Sequence, residues 1–295
     1  MGRKFYICRK PKSMKHFKTL AILCLFFYIP FTGKAWGVLG HRIVGEIADS
    51  YLTKHTRKEI QQILGTESVA IASNWPEFIK SDPAFKYLTP WHYDDVRGGM
   101  NFDQFSNLLA TDTSANAFNK INFLVNELKN NRQNLSAETK QLYLRLLIHI
   151  VGDVHQPLHV GHRDDKGGNS IKVLWFSDSV NLHQIWDGKL IDFQQLSYTE
   201  YAAAINHTTK DQRKLWQSQS LTQWMWDSYS LAEKVYADVK PGQKLSYDYN
   251  FKFIGALNDR LLRGGVHLAG LLNDIFGERN ADFHDHHNKR KSDQS

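Results

Sequence analysis

The stretch that most limits what this chain can fold into runs from Ser136 to Pro157. Tyr143, Leu146, Leu147, Ile150, Val151 and Val154 recur there at helical spacing, the signature of a helix that buries an apolar stripe. Ser136 can cap its start, Glu138 places an acid in its first turn, and Pro157 forces its end. His149 and Asp153 lie one helical turn apart on this segment, so both side chains project from one face.

The same periodicity dominates the rest of the chain. Val44, Ile47, Ala48, Tyr51 and Leu52 line one face, and Ala117, Ile121, Leu124, Val125 and Leu128 line another. Thr56 to Leu64 reads as a helix stopped by Gly65 at a C′ position. Segments around 209–238 and 249–276 are also helical in pattern. A short strand pair is expected from Ser170 to about Val180, after Gly167 and Gly168. The expected architecture is mostly α, a single multi-helix domain with a short β-hairpin. No internal repeat or long linker separates Trp36 from Gly277, so one domain over 36–277 is the economical reading. From 278 to 295 the chain is polar apart from Ala281 and Phe283, and this tail is expected to be disordered.

Residues 1–35 have the form of a secretory signal: a cationic start, the apolar run Leu20 to Phe31, then Gly33 and Ala35. The run is short for a membrane span, which needs ~20 residues. Cleavage after Ala35 would make Trp36 the mature N-terminus, and translation starting at Met14 would shorten the long charged leader. Removing eight lysines and arginines and no acid from a chain of net charge +7 leaves −1 for residues 36–295. The basic balance therefore belongs to the leader and gives no licence for a nucleic-acid-binding patch; any affinity for phosphate must be local. Cys8 and Cys24 also lie in the leader. The mature chain then has neither disulfides nor thiolate ligands, and a metal would have to be held by His, Asp, Glu and main-chain groups.

Such groups are concentrated. Besides His149 and Asp153 there are His155, His159 past the proline, and a second His-x-x-x-Asp pair, His183 and Asp187. Nitrogen and oxygen donors without sulfur suit catalytic zinc rather than a structural site. A free α-amine at Trp36 titrates near ~8, so with its own carbonyl and His41 it could chelate an ion as well.

The order of these motifs resembles that of the zinc-dependent single-strand-specific nucleases of fungi, plants and bacteria, which also act as 3′-nucleotidases and have a phospholipase C-like helical fold. The likeness runs through Trp36-Gly-Val-Leu-Gly-His41, Ile71-Ala-Ser-Asn-Trp75, Trp91-His-Tyr-Asp-Asp95, His149-Ile-Val-Gly-Asp153-Val-His-Gln-Pro-Leu-His159, Gly167-Gly-Asn169, Asn181-Leu-His183-Gln-Ile-Trp-Asp187 and Gly264 to Asn273. The resemblance implies three zinc ions. One would be held by Glu77, His92, His149 and Asp153. A second would take His159, His183 and Asp187, and a third the amine and carbonyl of Trp36 with His41, bridged by Asp153. It further implies that Asp95 orients the attacking water or the base, that Lys80 faces the phosphate where fungal members have arginine, that Tyr93 stacks a base, and that Asn169 binds phosphate or positions its loop. The family usually has Asp where Glu77 stands, and the disulfides of fungal members are absent.

The activity implied is hydrolysis of single-stranded DNA or RNA to 5′-phosphonucleotides, with 3′-nucleotides as further substrates. The implied protein is a secreted or periplasmic monomer without stable membrane association. Two other readings stand beside it. A bacterial zinc phospholipase C shares the fold but places its next histidine much farther from the N-terminal Trp; a zinc-binding extracytoplasmic protein without catalysis would follow from loss of Glu77 ligation. His55, His162, His207 and His267 are expected at the surface or in local hydrogen bonds, and Trp216, Trp224 and Trp226 in packing.

Overall fold

The computed structural model describes residues 1–2 and 36–278. The chain divides into a unit over 1–32 and a unit over 33–295. The structure described below lies in the second, so the leader, its cleavage site and the polar tail beyond 278 fall outside the described residues.

Helices α1 (Val38–Ser50), α2 (Lys54–Leu64), α3 (Val69–Ala72) and α4 (Trp75–Ile79) lead into a 3-10 segment, Pro83–His92. Next come α5 (Phe102–Thr111), α6 (Ala117–Asn130) and α7 (Ala137–Asp153). The caps follow from side-chain chemistry: Thr53, Ser68, Asn101, Asn116 and Ser136 each accept a hydrogen bond from a backbone N–H in the first turn they precede. Gly65, at φ 69°, ends α2 as its position in the sequence suggested.

Helix α7 is the central post. It is flanked by α1, α2, α3, α4, α6 and the C-terminal helix, α13 (Tyr247–Phe276). From Leu146 to Asp153 every residue is buried, so the whole circumference of its second half is enclosed rather than one stripe. Each aliphatic side chain there contributes ~1.5–3 kcal/mol through burial. The same enclosure removes His149 and Asp153 from water.

The hairpin is present as β1 (Lys172–Trp175) and β2 (Asp178–Asn181), antiparallel with Lys172 opposite Asn181. A short helical turn, α8 (Leu182–Gln184), widens into a π-turn at Ile185–Lys189 and re-forms as α9 (Leu190–Asp192). Helices α10 (Tyr198–Ile205), α11 (Lys210–Gln217) and α12 (Leu221–Asp238) follow. The segment read as helical over 209–238 is thus two helices, because Ser220 caps a new start by accepting from the Gln223 N–H. Strand β3 (Lys244–Leu245) adds to β1 in parallel, a third strand that the sequence pattern did not reveal. Helix α13 then packs along α1. Among the described residues no helix is long and apolar enough to cross a membrane.

Candidate metal centre

The end of α7 brings two carboxylates and a ring of histidines together inside the protein. Asp153, wholly buried, faces His41 (Nε2 to Oδ1, 3.3 Å), His92 (Nδ1 to Oδ2, 2.9 Å), His149 (Nε2 to Oδ2, 3.2 Å) and His159 (3.5 Å). Asp187 faces His183 Nε2 at 3.2 Å and His159 Nε2 at 3.7 Å. Two groups have donor atoms lying within 4.8 Å of one another: His41, His149 and Asp153, and His159, His183 and Asp187. His92 borders the first group, its Nδ1 3.1 Å from His149 Nε2.

The histidines are oriented from behind. His149 Nδ1–H donates to the Ser73 carbonyl (2.6 Å), His159 Nδ1–H to the His92 carbonyl (2.7 Å) and His183 Nδ1–H to the Gly167 carbonyl (2.6 Å). Each bond occupies Nδ1 from behind and turns Nε2 inward, the arrangement that suits a metal ligand once that nitrogen gives up its proton. Asp187 is held in turn by the Gln156 side-chain amide, which donates to Oδ1 at 2.6 Å. Sequence alone assigns Gln156 no role. The signal lay in its neighbours, since the same side chain also accepts from the Leu158 N–H and so fixes the turn to His159.

Two glycines leave room for this. A Cβ on Gly152 would stand 2.8 Å from His41 Nδ1. That helix position must stay bare for His41 to stack on His149, with ring centroids 3.8 Å apart. Gly167 has φ 61°, and a Cβ there would overlap the Leu158 carbonyl oxygen. This conformation aims its own carbonyl at His183.

Trp36 is fully buried. Its indole N–H donates to the Gly152 carbonyl at 2.7 Å, and the Gly37 N–H donates to the Asp187 carbonyl. The Trp36–Gly37 segment is therefore pinned between the two carboxylate-bearing segments. Glu77 lies outside both groups. Its carboxylate is paired with the Lys80 ammonium one turn along α4. Tyr93 and Asp95 line a cleft of about 200 Å³ with Pro90, Asp112, Asn116 and Arg163. Asn169 is turned into its own loop, with Nδ2 donating to the Lys166 carbonyl at 2.9 Å.

Electrostatics follow from burial and pairing. Burial opposes ionisation of Asp153, but His149, His159, His41 and His92 outweigh it and hold the carboxyl well below the usual range. Burial also opposes ionisation of Asp187, and His183 and His159 likewise keep it low. Burial drives His149 well below its ordinary value despite Asp153. His159 goes the other way: burial would lower it, but Asp153 and Asp187 together push it up to about 9. Asp95 is raised by burial, with His159, His183 and Arg163 opposing. Beneath the cleft, burial pushes Asp94 up to about 8 against a 2.9 Å bond from the Phe118 N–H.

Several inward atoms have no hydrogen-bond partner: both nitrogens of His41, Asp153 Oδ1 and His159 Nε2. Buried polar atoms left unpaired are costly, and one ligand atom each of His41, Asp153 and His159 lies within a group of donors close enough to share a cation. The donor set is nitrogen and carboxylate oxygen without sulfur, which fits zinc.

His155 and His267 are different. His267 is fully buried, which corrects its expected place at the surface or in local hydrogen bonds: its Nδ1 lies 2.7 Å from His155 Nε2, 112 residues away in the chain. Trp224 packs flat on it at 4.5 Å. His162 is half-buried and bonded to Glu233, while His207 is exposed.

Comparison with known proteins agrees with this chemistry. Residues 36–277 match the family described as S1/P1 Nuclease. Endonuclease 4 of Arabidopsis thaliana is 30% identical over 271 residues, covering 83% of this chain and 90% of that protein. Nuclease P1 of Penicillium citrinum is 27% identical, covering 82% and 98%. Nuclease S1 of Aspergillus oryzae is 34% identical over 161 residues, about half of each chain. A hydrolytic nuclease with buried His/Asp groups able to bind metal, the chain belongs to the S1/P1 nuclease family.

Proposed function

We propose that residues 36–277 form a trinuclear zinc phosphodiesterase that cuts single-stranded DNA or RNA to 5′-phosphonucleotides and removes phosphate from 3′-nucleotides. The observation that carries this reading is the inward Nε2 of His149, His159 and His183, each fixed by a carbonyl behind it and each facing Asp153 or Asp187. One ion would be held by Glu77, His92, His149 and Asp153, and a second by His159, His183 and Asp187. The third would take His41, Asp153 and the amine and carbonyl of Trp36. Glu77 would have to swing from Lys80 to take part.

Zinc, when bound, supplies Lewis-acid charge beside the phosphate and lowers the pKa of water at the site to about 7. The chain's own groups do the rest. Asp95 orients the attacking water or the base, Tyr93 offers a ring for that base, Lys80 adds a point charge, and Asn169 holds the Lys166 loop. Stacking a base on Tyr93 requires it to leave a duplex, and unstacking costs a few kcal/mol. A single strand avoids that penalty, which accounts for strand preference without sequence readout.

Loss of residues 1–35 on export to the periplasm or medium would create the Trp36 amine, and the product would act as a monomer. The test uses protein beginning at Trp36, stripped with a chelator and resupplied with zinc. Activity should return on single-stranded DNA and on a 3′-nucleotide, be weak on duplex DNA and be absent on phosphatidylcholine. No recovery with zinc, or preference for the phospholipid, would overturn the reading. Glu77→Asp should preserve or improve turnover; a large loss would show a centre rebuilt around glutamate.

A further inference from the structure

Beyond the cleft, a strip of surface combines exposed rings with lysine. Tyr87, in the 3-10 segment, is 54% exposed, and its ring meets the edge of Trp91 at 5.9 Å. The Lys120 ammonium rests over Trp91 at 4.5 Å and lies 5.4 Å from the ring of Phe123, itself 38% exposed. Lys86 is exposed beside Tyr87 in the chain. The strip is continuous with the centre, because Trp91 lies between Pro90, which lines the cleft, and His92, which faces Asp153.

Trp91 itself is buried, but Tyr87 and Phe123 stay exposed on either side of it, and exposed rings grouped around one ammonium point to a binding surface. Their spacing against an ammonium fits one class of ligand. Aromatic faces stack bases irrespective of sequence, and lysine meets the phosphates between them. The mature chain is close to neutral, so the positive charge that would draw a strand here has to be local, and Lys86 and Lys120 supply it.

We propose that Tyr87, Lys120 and Phe123, set around the buried Trp91, form a track for the part of a single-stranded substrate that extends past the cleft. Glu127 stands near Tyr143, which is in ring contact with Phe123, so the favourable track ends at Phe123. The occupant is the substrate's own strand. A protein partner would need apolar and acidic side chains in matching register, whereas a single strand supplies a stacking face and a phosphate at every residue. The track rests on the nuclease reading of the metal centre, and it gives that reading a preference for polymer over fragments.

The test compares zinc-loaded Tyr87→Ala, Phe123→Ala and Lys120→Gln with wild type on two substrates, a single-stranded DNA of about 20 nucleotides and a dinucleotide too short to reach the strip. Each ring variant should raise KM for the long strand about tenfold, the size of one lost base stack, and leave dinucleotide turnover unchanged. Tyr87→Phe should restore the long-strand KM, since only the ring face is used. Lys120→Gln should reduce by about 0.7 the slope of log affinity for a non-cleavable phosphorothioate strand against log salt, as expected for one lost phosphate contact. Unchanged long-strand kinetics, or equal loss on both substrates, would overturn the track while leaving the metal centre in place. Wild-type protein inactive on both substrates would overturn the nuclease reading and the track with it.

Discussion

Two buried histidine clusters flank the end of α7, and they behave in opposite ways. On one side His41, His149, His159 and His183 turn nitrogens toward Asp153 and Asp187, and several of these atoms lack hydrogen-bond partners. On the other side, His155 Nδ1–H donates to the Val151 carbonyl, His155 Nε2 meets His267 Nδ1, and His267 Nε2 faces the Gln219 amide at 3.1 Å. Among the described residues no carboxylate pairs with either histidine, and Asp227 reaches the network only through Arg260, at 3.9 Å. Its charged member is Arg260, which donates to the His155 and Trp224 carbonyls and to the Ser228 hydroxyl. Burial and residue type are the same in both clusters. What separates a ligand set from a structural network is whether the second nitrogen is left over and whether an anion faces it.

The sharpest way to break this contrast is to remove the anion. Asp153→Asn should lower nuclease activity at least about a hundredfold, beyond the effect of losing a group behind a ligand, and should deplete zinc in elemental analysis. His267→Gln, at the other cluster, should leave zinc content intact. A zinc-replete Asp153→Asn protein would contradict the assignment.

Protonation offers a second route, read in chelated protein. Burial holds His149, His155 and His267 well below their ordinary values. Unfolded, they titrate near ~6.5, so below that pH the unfolded chain binds protons that the fold refuses and stability falls. His159, which Asp153 and Asp187 push up to about 9 against burial, works in the other direction. Its contribution is fully present below ~6.5 and is lost as pH rises through about 9. Melting temperature should therefore peak between these limits. Stability that keeps rising toward pH 5 would show that the histidines are not enclosed as described.

Smaller effects sharpen the picture. Gly152→Ala places a methyl 2.8 Å from His41 Nδ1, so it should destabilise by ~1–3 kcal/mol and lose the ion nearest His41 first. Thermal melts paired with zinc counts check this. Gln156→Ala removes the 2.6 Å bond to Asp187 and should weaken zinc affinity ~10-fold by competition with a chromophoric chelator. Smallest in its effect on activity is His267→Gln itself, costing ~1–3 kcal/mol of stability from the broken His155 contact with turnover preserved.

Much of the α framework is legible in the sequence, because helix periodicity and caps are local. The stripe of α7, the Ser136 cap and the Gly65 stop can be read directly. The candidate ligands were legible by their order along the chain, but their orientation was not. Ser73 and Gly167 carbonyls fix His149 and His183 across 76 and 16 residues, and no spacing rule encodes such bonds. Strand β3 escaped because two residues cannot show a period. The burial of His267 escaped because a histidine on a helix reads as polar until Trp224 and His155 are seen to enclose it. The expectation that Glu77 joins the centre rests on its place in the motif order, and its pairing with Lys80 depends on a rotamer that sequence does not encode.

The central claim is a three-ion centre completed by the Trp36 amine, and native mass spectrometry of the exported protein tests it most directly by weighing the chain and its metals together. The predicted species begins at Trp36 and carries three zinc ions, while a chain retaining residues before Trp36 carries fewer and is poorly active. A fully active three-zinc protein beginning before Trp36, or an active mature protein without zinc, would contradict it.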